Sequence, residues 1–442
     1  MFRIACFCLV IGVATPMLSQ VQPSAYGGGY DLDSEHMMTP PPVSREGYPS
    51  TAGSEERSNF LTAGLVFTAA YTDNLMLFGN EPASDETYSI LPSISLDRRT
   101  PKHSESLRYS SGFTIYQNTS QLNAASQGGS ADFRYHLSRY AVLGLTDSFQ
   151  QNSNLYNQGN PFIGGGVSGA PGGSSTGALI EPYANQLRNS SGAAMEYQYS
   201  KNSMVGASGN YSFLNFSSDS GIAGLSNENT AEGSGFYSRR FGRSYAGATY
   251  QFSKFITHPV GTYTVSNTVF GFFTHYFTRS ISFSVLGGPE HYTSWNEVDP
   301  KSSAWTPAVQ GNLGWQSNHA NLAANYSHVV SGAGGLIGTY HSDSGSLEGQ
   351  WMMSRKWNIG VQTAYLHFKN LTTDNTFGVF PGGNTISGGF DVERRISENL
   401  SVQAGYQRLH QNYANITSSN SQQDSDRASI SIMYGFNRPL GR

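Results

Sequence analysis

Trp315-Gln316-Ser317-Asn318-His319-Ala320-Asn321-Leu322-Ala323-Ala324-Asn325-Tyr326 holds the end of one strand, a two-residue turn and the start of the next strand. Ala320, Leu322, Ala324 and Tyr326 share one face, with polar residues between them, which is the period-two signature of a β-strand. The turn here, Ser317-Asn318, is one of a series: Ser138-Arg139, Lys201-Asn202, Gly242-Arg243, Thr278-Arg279, Ser354-Arg355-Lys356 and Ser397-Glu398. Between these tight turns lie long, polar, glycine-rich connections, and the two kinds alternate to the C-terminus. An up-and-down barrel that crosses an outer membrane has short turns on its periplasmic side and long loops outside. A soluble sandwich has no reason to sort its connections by side.

Working outward, the same alternation recurs from residue 60. Leu61, Ala63, Leu65, Phe67, Ala69 and Tyr71 oppose Thr62, Gly64, Thr68 and Thr72. Leu107, Tyr109, Phe113 and Ile115 oppose Arg108, Ser110, Gly112 and Thr114. The pattern predicts eighteen strands, at 60–73, 86–98, 105–118, 126–138, 140–152, 184–199, 203–216, 228–241, 244–256, 263–277, 280–293, 303–316, 319–331, 339–353, 356–368, 383–396, 399–412 and 423–436. The eighth and tenth are ambiguous in parity. Eighteen strands give eight short turns and nine longer loops, with both chain ends on the short-turn side, as a bacterial barrel requires. The expected fold is all-β: a single antiparallel up-and-down barrel of about 16–18 strands.

Alternation alone does not say which face is inside. The polar face is rich in Ser, Thr, Asn, Gln and Gly but poor in charge, unlike a soluble surface. Aromatic residues gather near strand ends, as with Trp305 and Trp315, Trp351 and Trp357, and Tyr434 and Phe436. Membrane barrels carry such girdles at both interfaces. The apolar face therefore points outward to lipid.

Composition agrees. Only 13% of the residues are charged, and the chain holds 50 Gly, 26 Tyr and 25 Phe. A net charge of −4 lacks the basic footprint of a nucleic-acid binder. Met1-Phe2-Arg3, the apolar run Ile4–Ala14 and the exit Thr15-Pro16-Met17-Leu18-Ser19 have the order of a secretory signal peptide. Residues 1–19 are read as that signal, with cleavage near Ser19 or Ala25. Both cysteines, Cys6 and Cys8, lie inside it, so the exported chain has no disulfide, thiolate metal site or Cys nucleophile. Residues 20–57, with Gly27-Gly28-Gly29 and Pro40-Pro41-Pro42, lack periodicity and read as a disordered periplasmic leader. The barrel is expected over 58–436 and a short tail over 437–442.

Ala428-Ser429-Ile430-Ser431-Ile432-Met433-Tyr434-Gly435-Phe436 resembles the C-terminal strand of Gram-negative outer-membrane β-barrels of the porin-like kind. The resemblance spans residues 58–436. It implies the bacterial outer membrane as location, membrane lipid and the barrel-assembly machinery as partners, and Tyr434 and Phe436 as the assembly signal. It leaves homo-oligomerisation open. Six residues follow Phe436, a departure from the usual ending. Two short pieces, Ala70-Tyr71-Thr72-Asp73-Asn74 and Gly287-Gly288-Pro289-Glu290-His291-Tyr292, look like stretches of barrels linked to exopolysaccharide export.

No motif points to chemistry. Gly164-Gly165-Gly166-Val167-Ser168-Gly169 has neither the strand nor the helix that a dinucleotide site needs. The eleven histidines form no HExxH pair. No enzyme activity, cofactor or metal is expected; an enzymatic barrel would draw on a lumen-rim histidine such as His291 or His410. The strand parities put Arg108, Asp132, Arg134, His136, Glu196, Glu290, Glu348, Asp391, Glu393 and Arg395 on the lumen face. Acids outnumber arginines there, and rings of charge set ion selectivity. The expected function is a water-filled channel for passage or export of small hydrophilic solutes or polysaccharide, with a mild cation preference. The alternative is a closed barrel that acts through its loops. The resemblance to porins implies that the third long loop, 152–184, folds into the pore; a surface loop is the equal alternative, since Glu181 is its sole charge.

Overall fold

The computed structural model describes residues 59–75, 84–100, 102–152, 185–216, 226–258, 261–278, 280–296, 301–317, 319–332, 339–371, 382–413 and 424–439. The expected signal and leader, and residues 153–184 of the third long loop, lie outside them.

Eighteen strands follow one another: β1 (Phe60–Thr72), β2 (Asp85–Arg99), β3 (His103–Tyr116), β4 (Ala124–Ser138), β5 (Ala141–Asn152), β6 (Gln186–Ser200), β7 (Ser203–Phe216), β8 (Asn227–Phe241), β9 (Ser244–His258), β10 (Thr262–Tyr276), β11 (Ile281–Trp295), β12 (Ser302–Gln316), β13 (Ala320–Gly332), β14 (Thr339–Ser354), β15 (Trp357–Asn370), β16 (Gly382–Arg395), β17 (Leu400–Tyr413) and β18 (Asp424–Pro439). Every strand pairs antiparallel with its sequence neighbours, and β1 pairs with β18 to close the ring. Closure removes the free edges that the first and last strands would otherwise have, the condition for strands to cross hydrocarbon.

All eighteen expected strands are present. Most boundaries shift by one or two residues, and two differences are larger in consequence. The connection between β9 and β10, expected among the long loops, is only residues 259–261. The last strand does not stop at Phe436: Asn437, Arg438 and Pro439 continue the ladder opposite Thr62, Leu61 and Phe60. Half of the expected tail is therefore strand. The short turns show why they are short. In the β8–β9 turn, Gly242 has φ 60°, and glycine at the first central position suits the two-residue hairpin turn that follows the twist of its strands.

The outward face carries the apolar side chains. Leu65, Phe67, Ile90, Phe113, Met195, Val361, Phe390, Ile430 and Ile432 are all exposed. Trp315, Trp351, Trp357, Tyr434 and Phe436 ring the turn end, while Tyr71, Tyr211, Trp305, Tyr326 and Tyr365 lie toward the loop end, all exposed. On the inward face, hydroxyls pair across strands: Ser208 with Ser234 at 2.7 Å, Thr274 with Ser284 at 2.8 Å, Ser327 with Ser344 at 2.7 Å and Thr68 with Ser431 at 2.8 Å. Such pairs satisfy small polar side chains without help from water.

The orientation of β8 and β10 is settled by register. Phe236 lies opposite Gly206, and Phe272 opposite both Gly247 and Leu286. Phe236, Phe270, Phe272, Met204, Leu286 and Ala308 form a buried cluster, with Tyr245 and Val329 packed against it. These residues point into the barrel. A Cβ on Gly206 or Gly247 would strike the Phe236 or Phe272 ring, so the two glycines make room for them. The lumen face is therefore not uniformly polar, as the sequence reading has it. Between β7 and β12 it holds a small core of its own.

Candidate functional site: the lumen and its inward hairpin

By register, the ten charged and histidine positions read from the sequence share the face opposite the exposed apolar side chains. Arg108, Asp132, Arg134 and His136 alternate with the outward Tyr109, Phe133 and Tyr135 on β3 and β4. Glu196 faces inward between Met195 and Tyr197, both exposed outside. Glu348, Asp391, Glu393 and Arg395 occupy the inward positions of β14 and β16. Except for Glu290, these residues sit in the half of the barrel nearer the short turns.

They are not equivalent. Arg108 and Glu348 are exposed. Asp132 and Arg134 form an ion pair at 3.6 Å, with side chains 44% and 43% exposed. Pairs as open as this contribute about 0–1 kcal/mol. Asp391 is buried and accepts a 2.9 Å hydrogen bond from Gln403 Nε2. Glu196 is buried.

Glu290 is the exception in height and in role. It is 2% exposed and accepts from Ser266 Oγ at 2.5 Å and from the backbone N–H of Val330 at 3.1 Å. Val330 belongs to β13, two strands from β11. The ladder between β12 and β13 is the shortest in the barrel, running only from Gln316↔Asn321 to Val309↔His328. Beyond that point β13 leaves β12, while β13 and β14 stay paired up to Gly332↔Thr339. The β13–β14 hairpin thus leans as a unit into the lumen. Thr339 Oγ1 donates to Thr264 Oγ1 on β10 at 2.8 Å, and the His341 ring meets the Tyr292 ring of β11 edge-on at 5.6 Å. A Cβ on Gly332 would strike the Glu228 carboxylate of β8. The departure begins beside Pro307, which lies opposite Pro289. A proline has no N–H to give to either neighbouring strand.

The loop 152–184, open in the sequence between a pore constriction and a surface loop, lies outside the described residues from 153 to 184. The sequence alone reads 319–331 and 339–353 as ordinary wall. Further inward charges lie near strand ends: Asp85, Glu228, Glu232, Arg188, Arg240 and Arg427 face the lumen by register, beside Asp97, which the alternation of the second strand already puts on the polar face. Acids still exceed arginines among the described residues. Asp85 has a structural task. It accepts from the N–H groups of Asn118 and Thr119 at 2.9 and 2.8 Å, which ties the β3–β4 connection to β2.

The two histidines considered for a lumen-rim enzyme are not in the lumen. His291 is outward, one residue from Glu290, with its ring 4.8 Å from that of Trp305. His410 is outward on β17, with Nδ1 2.6 Å from Asp424 Oδ1. Period two puts each on the lipid side of its neighbour.

Neither a family model nor a curated protein matches the chain. Among solved structures it is similar to OccK2 (OpdF) of Pseudomonas aeruginosa, with TM-score 0.43 and 10% identity over 86% of this chain and 98% of that one. It is similar to OccAB3 of Acinetobacter baumannii, with TM-score 0.40 and 11% identity over 86% and 99%. It is also similar to the ferric-catecholate import receptor Fiu of E. coli K12, with TM-score 0.44 and 7% identity over 86% and 82%. A closed ring of eighteen strands, an apolar outer band between aromatic rings and a hydrogen-bonded polar interior decide the class. The chain is an outer-membrane β-barrel. Its strands span the bilayer, and its short turns gather at the periplasmic end.

Proposed function

We propose that this barrel is a passive channel for small hydrophilic solutes, with a mild preference for cations, narrowed from one side by the β13–β14 hairpin. The observation that carries the reading is the asymmetry of the inner wall. From β13 through β18 and on to β6 the inward residues are mostly hydroxyls, amides and carboxylates, and Arg108, Asp132, Arg134 and Glu348 are accessible near the turn end. Barrels of this strand number enclose an aqueous lumen unless something fills it. The hairpin covers the β8–β11 side, which favours small solutes over a polysaccharide chain. Passage needs no covalent step and no cofactor. Membrane lipid and the barrel-assembly machinery are the partners this reading requires, with Tyr434 and Phe436 of the last strand as the assembly signal.

Proteoliposome swelling tests the size claim. Vesicles holding the refolded chain should swell in a monosaccharide and progressively less in di- and trisaccharides. Equal swelling across the series would remove the constriction from the account. No swelling in any sugar, from a correctly folded barrel, would support the closed alternative.

A further inference from the structure

We infer that Glu290 is the latch of a two-position hairpin: inward, as seen, and outward, zipped onto β12. The inward position is held from three strands. Glu290 on β11 takes the Val330 N–H, Thr264 on β10 takes the Thr339 hydroxyl, and Gly332 lies close against Glu228 on β8. Glu290 itself is held by Ser266 Oγ.

The outward position is written in the register. Extending the β12–β13 ladder from Val309↔His328 pairs Ala308 with Val329, Pro307 with Val330, Thr306 with Ser331 and Trp305 with Gly332. Every pair keeps its parity. Ala308 and Val329 share the lumen face, where both already belong to the inner cluster. Val330 would join the outward band beside Val309 and Trp305, which is 72% exposed. Gly332 would lie under the Trp305 ring. Zipping also covers an exposed flank. With the hairpin inside, residues 305–308 of β12 have no ladder partner on β13 among the described residues, and an unpaired strand edge is what a membrane barrel is built to avoid. The hairpin thus has one set of partners inside and another in the wall. Pro307 and Gly332 weaken the wall set enough for the Glu290 bond to decide between them.

The effect on flow rests on the channel reading above; the two positions rest on geometry alone. The test separates them. In a Cys6→Ser, Cys8→Ser background, Thr264→Cys/Thr339→Cys reports the inward position. The two hydroxyls it replaces are 2.8 Å apart, so sulfurs in their place have little distance to close to a bond of about 2.05 Å. Thr306→Cys/Ser331→Cys reports the outward position. Disulfide formation is read by gel mobility, and flow by conductance in a planar bilayer.

The parent should cross-link the inward pair readily. Adding Glu290→Gln should slow that reaction several-fold, speed the outward pair and raise conductance. Gly332→Ala, which crowds Glu228 without touching Glu290, should act in the same direction and serves if the Glu290 variant does not fold. Cross-linking rates that neither substitution changes would overturn the latch. If cross-linking switches but no form conducts, the latch stands and the channel reading falls.

Discussion

The inner wall of β7–β12 and the inner wall of β14–β18, running on past β1 to β6, use the same strand period for opposite ends. On the first, inward positions hold Met204, Phe236, Phe270, Phe272 and Leu286, each 7% exposed or less. Gly206 and Gly247 make the room, and the hairpin leans over that side. On the second, inward positions hold Glu348, Gln362, Asp391, Gln403, Ser431 and, farther round, Asp132 and Arg134. Both walls show lipid the same apolar outer face. The difference teaches that the outward residues make the chain a membrane barrel, while the inward ones decide how much of the lumen stays open.

The comparison can be broken most severely at the filled wall. Phe270→Ala removes a fully buried ring and should cost about 3–5 kcal/mol, read as a lower urea midpoint for the barrel in lipid vesicles. A cost near zero would mean that the inner cluster is not a core. Next in size is the outward face: Val361→Arg, at a position 53% exposed to lipid, should cost about 2–4 kcal/mol if it sits near the bilayer midplane. Glu348→Arg, on the inward face, should cost far less. Equal costs would put the faces the wrong way round. Gly247→Ala forces a methyl against the Tyr237 carbonyl oxygen first and the Phe272 ring second and should cost about 1–3 kcal/mol by the same unfolding assay. The smallest effect on stability should come from Glu348→Gln, within about 0.5 kcal/mol. That variant should instead move the reversal potential toward zero in a salt gradient.

The outer half of this design was legible in the sequence and the inner half only partly so. Period two in segments such as Ala320–Tyr326 is set by the requirement that alternate residues meet lipid, so all eighteen strands and the lumen parity of residues such as Asp391 could be read from one chain. The β8 and β10 orientations could not. Phe236 stands beside Tyr237, and Phe270 and Phe272 stand between Val269 and Phe273, so both faces are apolar and period two is silent. The hairpin was hidden for another reason. Val329-Val330-Ser331-Gly332 alternates acceptably as wall, and what removes it from the wall is a buried carboxylate forty residues away. The opposed prolines Pro289 and Pro307 were the available signal, because a pair without N–H groups marks a place where a ladder weakens. The stretch Gly287–Tyr292, singled out for its resemblance to export barrels, contains the hairpin's main dock. His291 and His410 are outward by the same alternation that puts Glu290 inside and Tyr406 outside.

The most direct test of the central claim, an open lumen with an acid-rich wall, is single-channel recording of the refolded exported chain in a planar bilayer under a salt gradient. The account predicts stable conductance steps and a reversal potential of the sign that cation preference gives. A folded barrel without steps, or one whose reversal potential shows anion preference, would contradict it.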